Sequence, residues 1–150
     1  MNIEVKPTRD WQWMWRVMRQ PGIWKKIGGC DECKPEHIEA LVMNQENHFL
    51  EVYRDDIRVG FFMFLKQGAD FDMHTCLEEG AHGFTAKLAM IEAIRWVFDN
   101  TDAPKVVGFV DEKRREVRIL LNMIGFKHTK TENGFYHVEF ERSKLCPVYS

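Results

Sequence analysis

His74 and Glu78 are the residues whose type and spacing suit proton transfer. Between Asp70 and Glu78 the chain alternates, with Phe71, Met73, Thr75 and Leu77 on one side and Asp72, His74, Cys76 and Glu78 on the other. That is the period of a strand, so His74 and Glu78 leave the same face two repeats apart. An imidazole ordinarily titrates at about 6.5 and relays protons at neutral pH, whereas a carboxylate needs burial to become a comparable base. His74 is therefore the first candidate base and Glu78 the second. The alternative is a hydrogen-bonded sheet histidine with no chemistry.

Cys30-x-x-Cys33 with His37 four residues later has the local spacing of half a zinc site. A closed tetrahedral site needs further donors, with Cys76, His48 or His82 having to converge from distant segments, so free thiols in a loop are the expectation and no metal is assigned. Trp11, Trp13, Trp15 and Trp24 suit either packing of the first helices or an aromatic surface; Trp11 and Trp15 share a helix face, which leaves Trp13 as the candidate for an exposed contact. The run Glu112 to Glu116 with Arg118 is mixed in sign and reads as a solvated helix start, with phosphate contact as the alternative.

The totals narrow the class. A chain of 150 residues fits one domain, 1–150, with 45% apolar and 29% charged residues in the globular range. A formal net charge of -2 supplies no overall basic field, so nucleic acid is not an expected partner. No stretch approaches the roughly 20 apolar residues of a membrane span, and the opening MNIEVKPTRD lacks the apolar core of a secretion signal. Four cysteines, Cys30, Cys33, Cys76 and Cys146, suit reduced thiols. A cytoplasmic protein without structural disulfides is expected, in the host cytoplasm if the chain is phage-encoded.

The elements that must position these residues follow from periodicity and punctuation. Ile3–Val5 predicts a short strand, and Trp11, Trp15 and Met18 a helix interrupted at Pro21-Gly22. A further short helix is expected over Glu36–Met43 after Pro35. HFLEVYR and IRVGFFMFL predict a hairpin across Asp55-Asp56, with Phe61–Leu65 a central strand covered on both faces; the strand over Asp70–Glu78 follows. Phe84, Leu88, Ile91, Ile94 and Phe98 predict one side of a helix that Pro104 ends. A buried strand at Lys105–Val110 leads to a helix with Val117, Leu120, Leu121 and Ile124 inward and Gly125 as its cap. Phe126–Thr131 and Phe135–Glu141 close with a hairpin across Glu132-Asn133-Gly134. The expected class is α+β, a mixed central sheet flanked by helices with one helical crossover.

That order, with the segments HTCLEEGAHGFTAKLAMIEAIRWVFDN and VVGFVDEKRREVRILLNMIGF, resembles a GNAT (Gcn5-related N-acetyltransferase) domain from about Ile3 to Glu141. The first segment is similar to acetyltransferase-like proteins of tailed phages, and the length and opening resemble a short-tailed-phage head-assembly family. The resemblance implies an acyltransferase using acetyl-CoA and an amine acceptor. It equally admits a non-catalytic assembly or virion-associated factor that keeps the fold as a scaffold.

In such domains a loop written Q/R-x-x-G-x-G/A before a helix holds the CoA pyrophosphate on backbone N–H groups. Here the resemblance places the CoA-binding segment at Cys76, Leu77 and the loop Gly80, Ala81, His82, Gly83, Phe84 and Thr85, with Gly80 at the usual basic or glutamine position. Glu78 and Glu79 precede it and oppose a polyanion. Arg114 falls where an Asn is usual and is an expected phosphate contact; Leu121 falls where a Tyr often protonates the departing thiolate, and leucine has no proton to give.

Overall fold

The strand Ile57–Gln67 carries six successive buried residues, Val59 to Phe64, so both its faces must be covered. In the computed structural model, which describes residues 1–24, 33–78, 80–81 and 83–145 (residues 22 and 24 by backbone only), two apolar clusters supply that cover. Phe62 and Phe64 belong to one, Phe61 and Met63 to the other, as alternation requires. Val59, of odd parity, nevertheless joins Phe62 and Phe64. A bulge explains it: the register with the preceding strand slips by one between Val52 and Tyr53, opposite Gly60 and Arg58.

In chain order the strands are β1 (Ile3–Pro7), β2 (His48–Arg54), β3 (Ile57–Gln67), β4 (Asp70–Leu77), β5 (Lys105–Asp111), β6 (Lys127–Glu132) and β7 (Phe135–Glu141). The helices are α1 (Trp11–Met18), α2 (Pro21–Trp24), α3 (Pro35–Met43), α4 (Phe84–Asn100) and α5 (Arg115–Ile124). One mixed sheet runs β1-β2-β3-β4-β5-β7-β6. Neighbours are antiparallel except β4 and β5, which are parallel and joined by α4 as crossover. Asp55 and Asp56 (φ 50° and 69°) and Asn133 and Gly134 (φ 54° and 82°) form the two tight hairpin turns expected from their sequences.

Residues of α4 and α5 pack on one face of the sheet, and those of α1 to α3 on the other. Each large apolar side chain taken out of water contributes roughly 1.5–3 kcal/mol, and Phe49, Phe61, Phe62 and Phe64 are all fully buried. The inward face of α5 is the expected one, with Leu121 buried and Val117, Leu120 and Ile124 partly buried. Among the described residues, no helix is long and apolar enough to cross a membrane.

Three expectations are corrected. The buried side of α4 is Ala86, Ala89, Ala93 and Val97 with Met90 and Ile94, while Phe84 is exposed and Leu88 and Ile91 only partly covered. The buried face is thus turned roughly a third of a turn from the stripe of largest residues. Alanines give a helix closer approach to a sheet than bulkier side chains would, and the bulky residues are left at its margin. Trp13 is buried, edge-on to Phe61 at 5.7 Å with the Arg58 guanidinium 3.8 Å over its ring, whereas Trp11 and Trp15 are half-buried. Pro21 does not merely interrupt: α1 ends at Met18, and Pro21 opens α2 as its first residue, where no N–H is needed.

Candidate functional site

β4 and β5 are paired only at Phe71 with Val106 and at Asp72 with Val107. Beyond these residues each keeps its outer partner: β4 follows β3 up to Leu77, and β5 follows β7 up to Asp111. The facing edges of Met73–Leu77 and Gly108–Asp111 therefore part. Between them lies a cavity of about 1160 Å³. Its lining includes successive β4 residues, Met73 through Leu77, whose side chains point to opposite faces, so the opening passes through the sheet.

The N-terminus of α4 meets this opening. Gly83 caps the helix at φ 69°, and among the described residues no side chain makes a cap hydrogen bond to the first turn. The first four N–H groups of a helix lack intrahelical acceptors, and α4 carries no acidic residue in its first turn, so its positive end is uncompensated from within. Gly83 and Phe84 line the cavity. The preceding loop is held by Arg54, whose Nη1 donates to the Gly80 carbonyl at 2.9 Å, and by the Ala81 N–H, which donates to the Glu78 carbonyl. Thr85 is buried, its hydroxyl 3.5 Å from the Met1 sulfur.

His74 lines the cavity and its ring is one-third exposed. Its Nε2 lies 3.1 Å from a carboxylate oxygen of Asp72, two residues back on the same face of β4. A carboxylate accepts, so Nε2 is the nitrogen that donates, and in the neutral ring the lone pair is on Nδ1. Asp72 sits at the last paired position before the strands part, and this partner was not anticipated, although its i−2 spacing on one strand face was visible in the sequence. Its second oxygen is buried without a hydrogen-bond partner among the described residues.

Glu78 lies differently. It stands one residue past β4, its carboxylate accepts from Gln20 Nε2 at 3.2 Å, and it is not among the residues lining the cavity. Arg114, the N-cap residue of α5, lines the cavity and lies 3.5 Å from the Glu116 carboxylate. Lys87, one turn into α4, is a second cation on the lining that the sequence did not single out. Leu121 faces the same space and is buried. The nearest phenol in sequence, Tyr136, is committed to Asn122 through its hydroxyl and stacks on His128 at 4.0 Å.

Cys76 and Leu77 border the opening and are buried. Burial pushes the Cys76 thiol up to about 12, which leaves a thiolate fraction near neutrality of roughly one in 10⁵. An acyl-cysteine intermediate on this residue is thereby disfavoured. Iodoacetamide at pH 7 should leave the Cys76 peptide unmodified in the folded protein and label it fully after denaturation, as read by mass spectrometry. Rapid labelling in the folded state would contradict the burial.

His82 and Glu79 lie outside the described residues, as do Cys30 and Cys146. The zinc expectation therefore falls partly outside them, and His37 Nδ1 accepts from the Lys34 N–H at the start of α3. Among the described residues, no group of three or more His, Cys, Asp or Glu is placed to hold a metal.

A family model described as protein of unknown function (DUF2824) matches residues 36–138, most of the chain, including β2 to β5, both long helices and most of the closing hairpin. The chain belongs to this family. No curated protein matches it. Solved structures do: the Campylobacter jejuni N-acetyltransferase PseH in complex with acetyl coenzyme A (TM-score 0.71, 14% identity, 95% of this chain and 100% of that one). The Vibrio cholerae spermidine N-acetyltransferase in complex with CoA and spermine gives 0.79 at 12% identity, covering 95% and 96%. The aminoglycoside acetyltransferase AAC(6')-Ib in complex with coenzyme A gives 0.78 at 7%, covering 99% and 100%. At such identities the likeness shows the fold, which is the GNAT fold, and leaves the chemistry to the site.

Proposed function

We propose that this protein is a GNAT acyltransferase that moves an acetyl group from CoA to a primary amine, with His74 as general base. The observation that carries the reading is the parting of β4 from β5 at the N-terminus of α4, whose first turn takes no side-chain cap among the described residues. Bare amides and the positive helix end suit a pyrophosphate, and a cavity of about 1160 Å³ suits a pantetheine arm. The residues present thus fit the group. Lys87 and Arg114 add two cations to the lining, where Gly80 leaves the loop without one.

Bound in this opening, acetyl-CoA supplies a thioester whose carbonyl carbon forms the new C–N bond as the C–S bond breaks. His74 takes the proton that the attacking amine loses, on Nδ1, while Asp72 holds Nε2–H and fixes the ring. Backbone N–H groups of β4 beyond Asp72, where β5 no longer pairs, would orient the acyl carbonyl. Leu121 supplies no acid, so the released thiolate takes its proton from solvent, which a thiol of ordinary acidity tolerates.

Calorimetry with acetyl-CoA tests this. Saturable one-to-one binding is expected, and at a hundredfold excess over Kd the native state gains about 2.7 kcal/mol, a rise in Tm of roughly 5–11 °C. Absence of both heat and thermal shift at millimolar ligand overturns the enzyme reading and leaves the fold as a scaffold without this chemistry.

A further inference from the structure

We infer that the acceptor is a singly charged primary amine carried on an aromatic body, seated on Phe109 and Phe135. This deepens the acyltransferase reading and rests on it.

Of the eight large apolar side chains exposed among the described residues, five line this one cavity: Phe84, Phe109, Ile119, Met123 and Phe135. Scattered exposure is ordinary, but concentration around one opening marks a surface that a ligand covers. Phe109 is 48% exposed and Phe135 42%, although both sit on strands where alternate positions are buried.

The rings form a corner beside the candidate base. Phe109 stands edge-on to His74 at 6.2 Å and 88°, and Phe135 edge-on to Phe109 at 5.4 Å and 84°. His137 lies tilted by 35° to Phe109 at 5.8 Å. A nitrogen hydrogen-bonded to His74 is about 3 Å from the imidazole, and aromatic pairs sit about 4.5–7 Å apart, so a ring one or two carbons from the nitrogen reaches Phe109.

Charge argues against a polycation. Among the described residues the lining carries two carboxylates, Asp111 and Glu116, against Lys87 and Arg114, and Glu116 is already paired with Arg114. Several ammonium groups find no matching row of acids here. Met18 and Met63, also on the lining, are unbranched side chains that adjust to a flat apolar guest.

The test measures amine binding apart from transfer, by calorimetry of 2-phenylethylamine, n-butylamine and spermidine on the full chain, with and without CoA. Phenylethylamine is expected to bind at least tenfold more tightly than either of the others in one of the two states. Phe109→Ala should abolish that preference, and Ile57→Ala, exposed and outside the cavity, should retain it. Spermidine or butylamine binding as tightly as phenylethylamine, or a preference that survives Phe109→Ala, overturns the inference. Failure of acetyl-CoA to bind is read in its own titration and sinks the acyltransferase reading, while the amine titrations still decide this one.

Discussion

On the proposed mechanism, His74→Gln lowers kcat by about 10²–10⁴-fold and leaves KM for acetyl-CoA nearly unchanged. The magnitude is that of one positioned proton acceptor lost from the transition state. KM is spared because the groups assigned to the CoA are the first turn of α4 with Lys87 and Arg114 and the backbone of β4, none of which the substitution of an imidazole removes. Glutamine keeps a polar side chain of similar reach and can still meet Asp72, so β4 is expected to stay in register. Steady-state rates with a thiol-trapping reagent, beside a thermal melt, check both halves. A variant with undiminished kcat would place the base elsewhere. Asp72→Asn should lose less, because it replaces the charged acceptor that fixes the tautomer by a neutral amide and leaves the imidazole itself in place.

His74 was legible because strand alternation is a local property: once Asp70–Leu77 is a strand, the residues sharing a face are known. The same holds for the run from Val59 to Phe64, whose unbroken apolar character requires cover on both sides. Glu78 shows where local reasoning stops. The strand ends at Leu77, and past that point alternation no longer says where a side chain goes; Gln20, remote in sequence, receives it. Trp13 and α4 were misjudged for a related reason. In α4 size was taken as a guide to burial, whereas the closeness of a helix to its sheet selects alanine; in α1 the face shared by Trp11 and Trp15 was taken as the buried one, whereas Phe61 on the sheet face beneath α1 decides which tryptophan is covered. The extent of β4–β5 pairing is a product of sheet twist and of the α4 crossover, and neither leaves a mark on single residues. Phe109 and Phe135 were read simply as strand residues, since nothing in a sequence says that the helices α1 to α3 leave that part of the sheet face uncovered.

Gly60→Ala should cost about 3 kcal/mol and lower Tm by roughly 6–12 °C. Gly60 has φ 153°, a conformation that side chains rarely adopt, and it lies in the bulge of β3 opposite Leu77. A Cβ there would collide with the Cys76 carbonyl and come within 2.7 Å of the Leu77 Cα. Both obstacles are backbone, so no rotamer change relieves them. β4 must then shift at its end, where Cys76 and Leu77 border the cavity and the chain turns toward Gly83. The substitution is therefore expected to weaken acetyl-CoA binding beyond what lost stability explains at temperatures where the protein remains folded. Phe49→Ala separates the two effects. It removes a fully buried ring of β2 from the cluster beneath α1 to α3, costing about 3–5 kcal/mol, at a position not paired with the end of β4. Calorimetry at 15 °C on both variants distinguishes a displaced turn from general loosening: equal affinities would show that the end of β4 does not set the geometry of the amides proposed to bind phosphate.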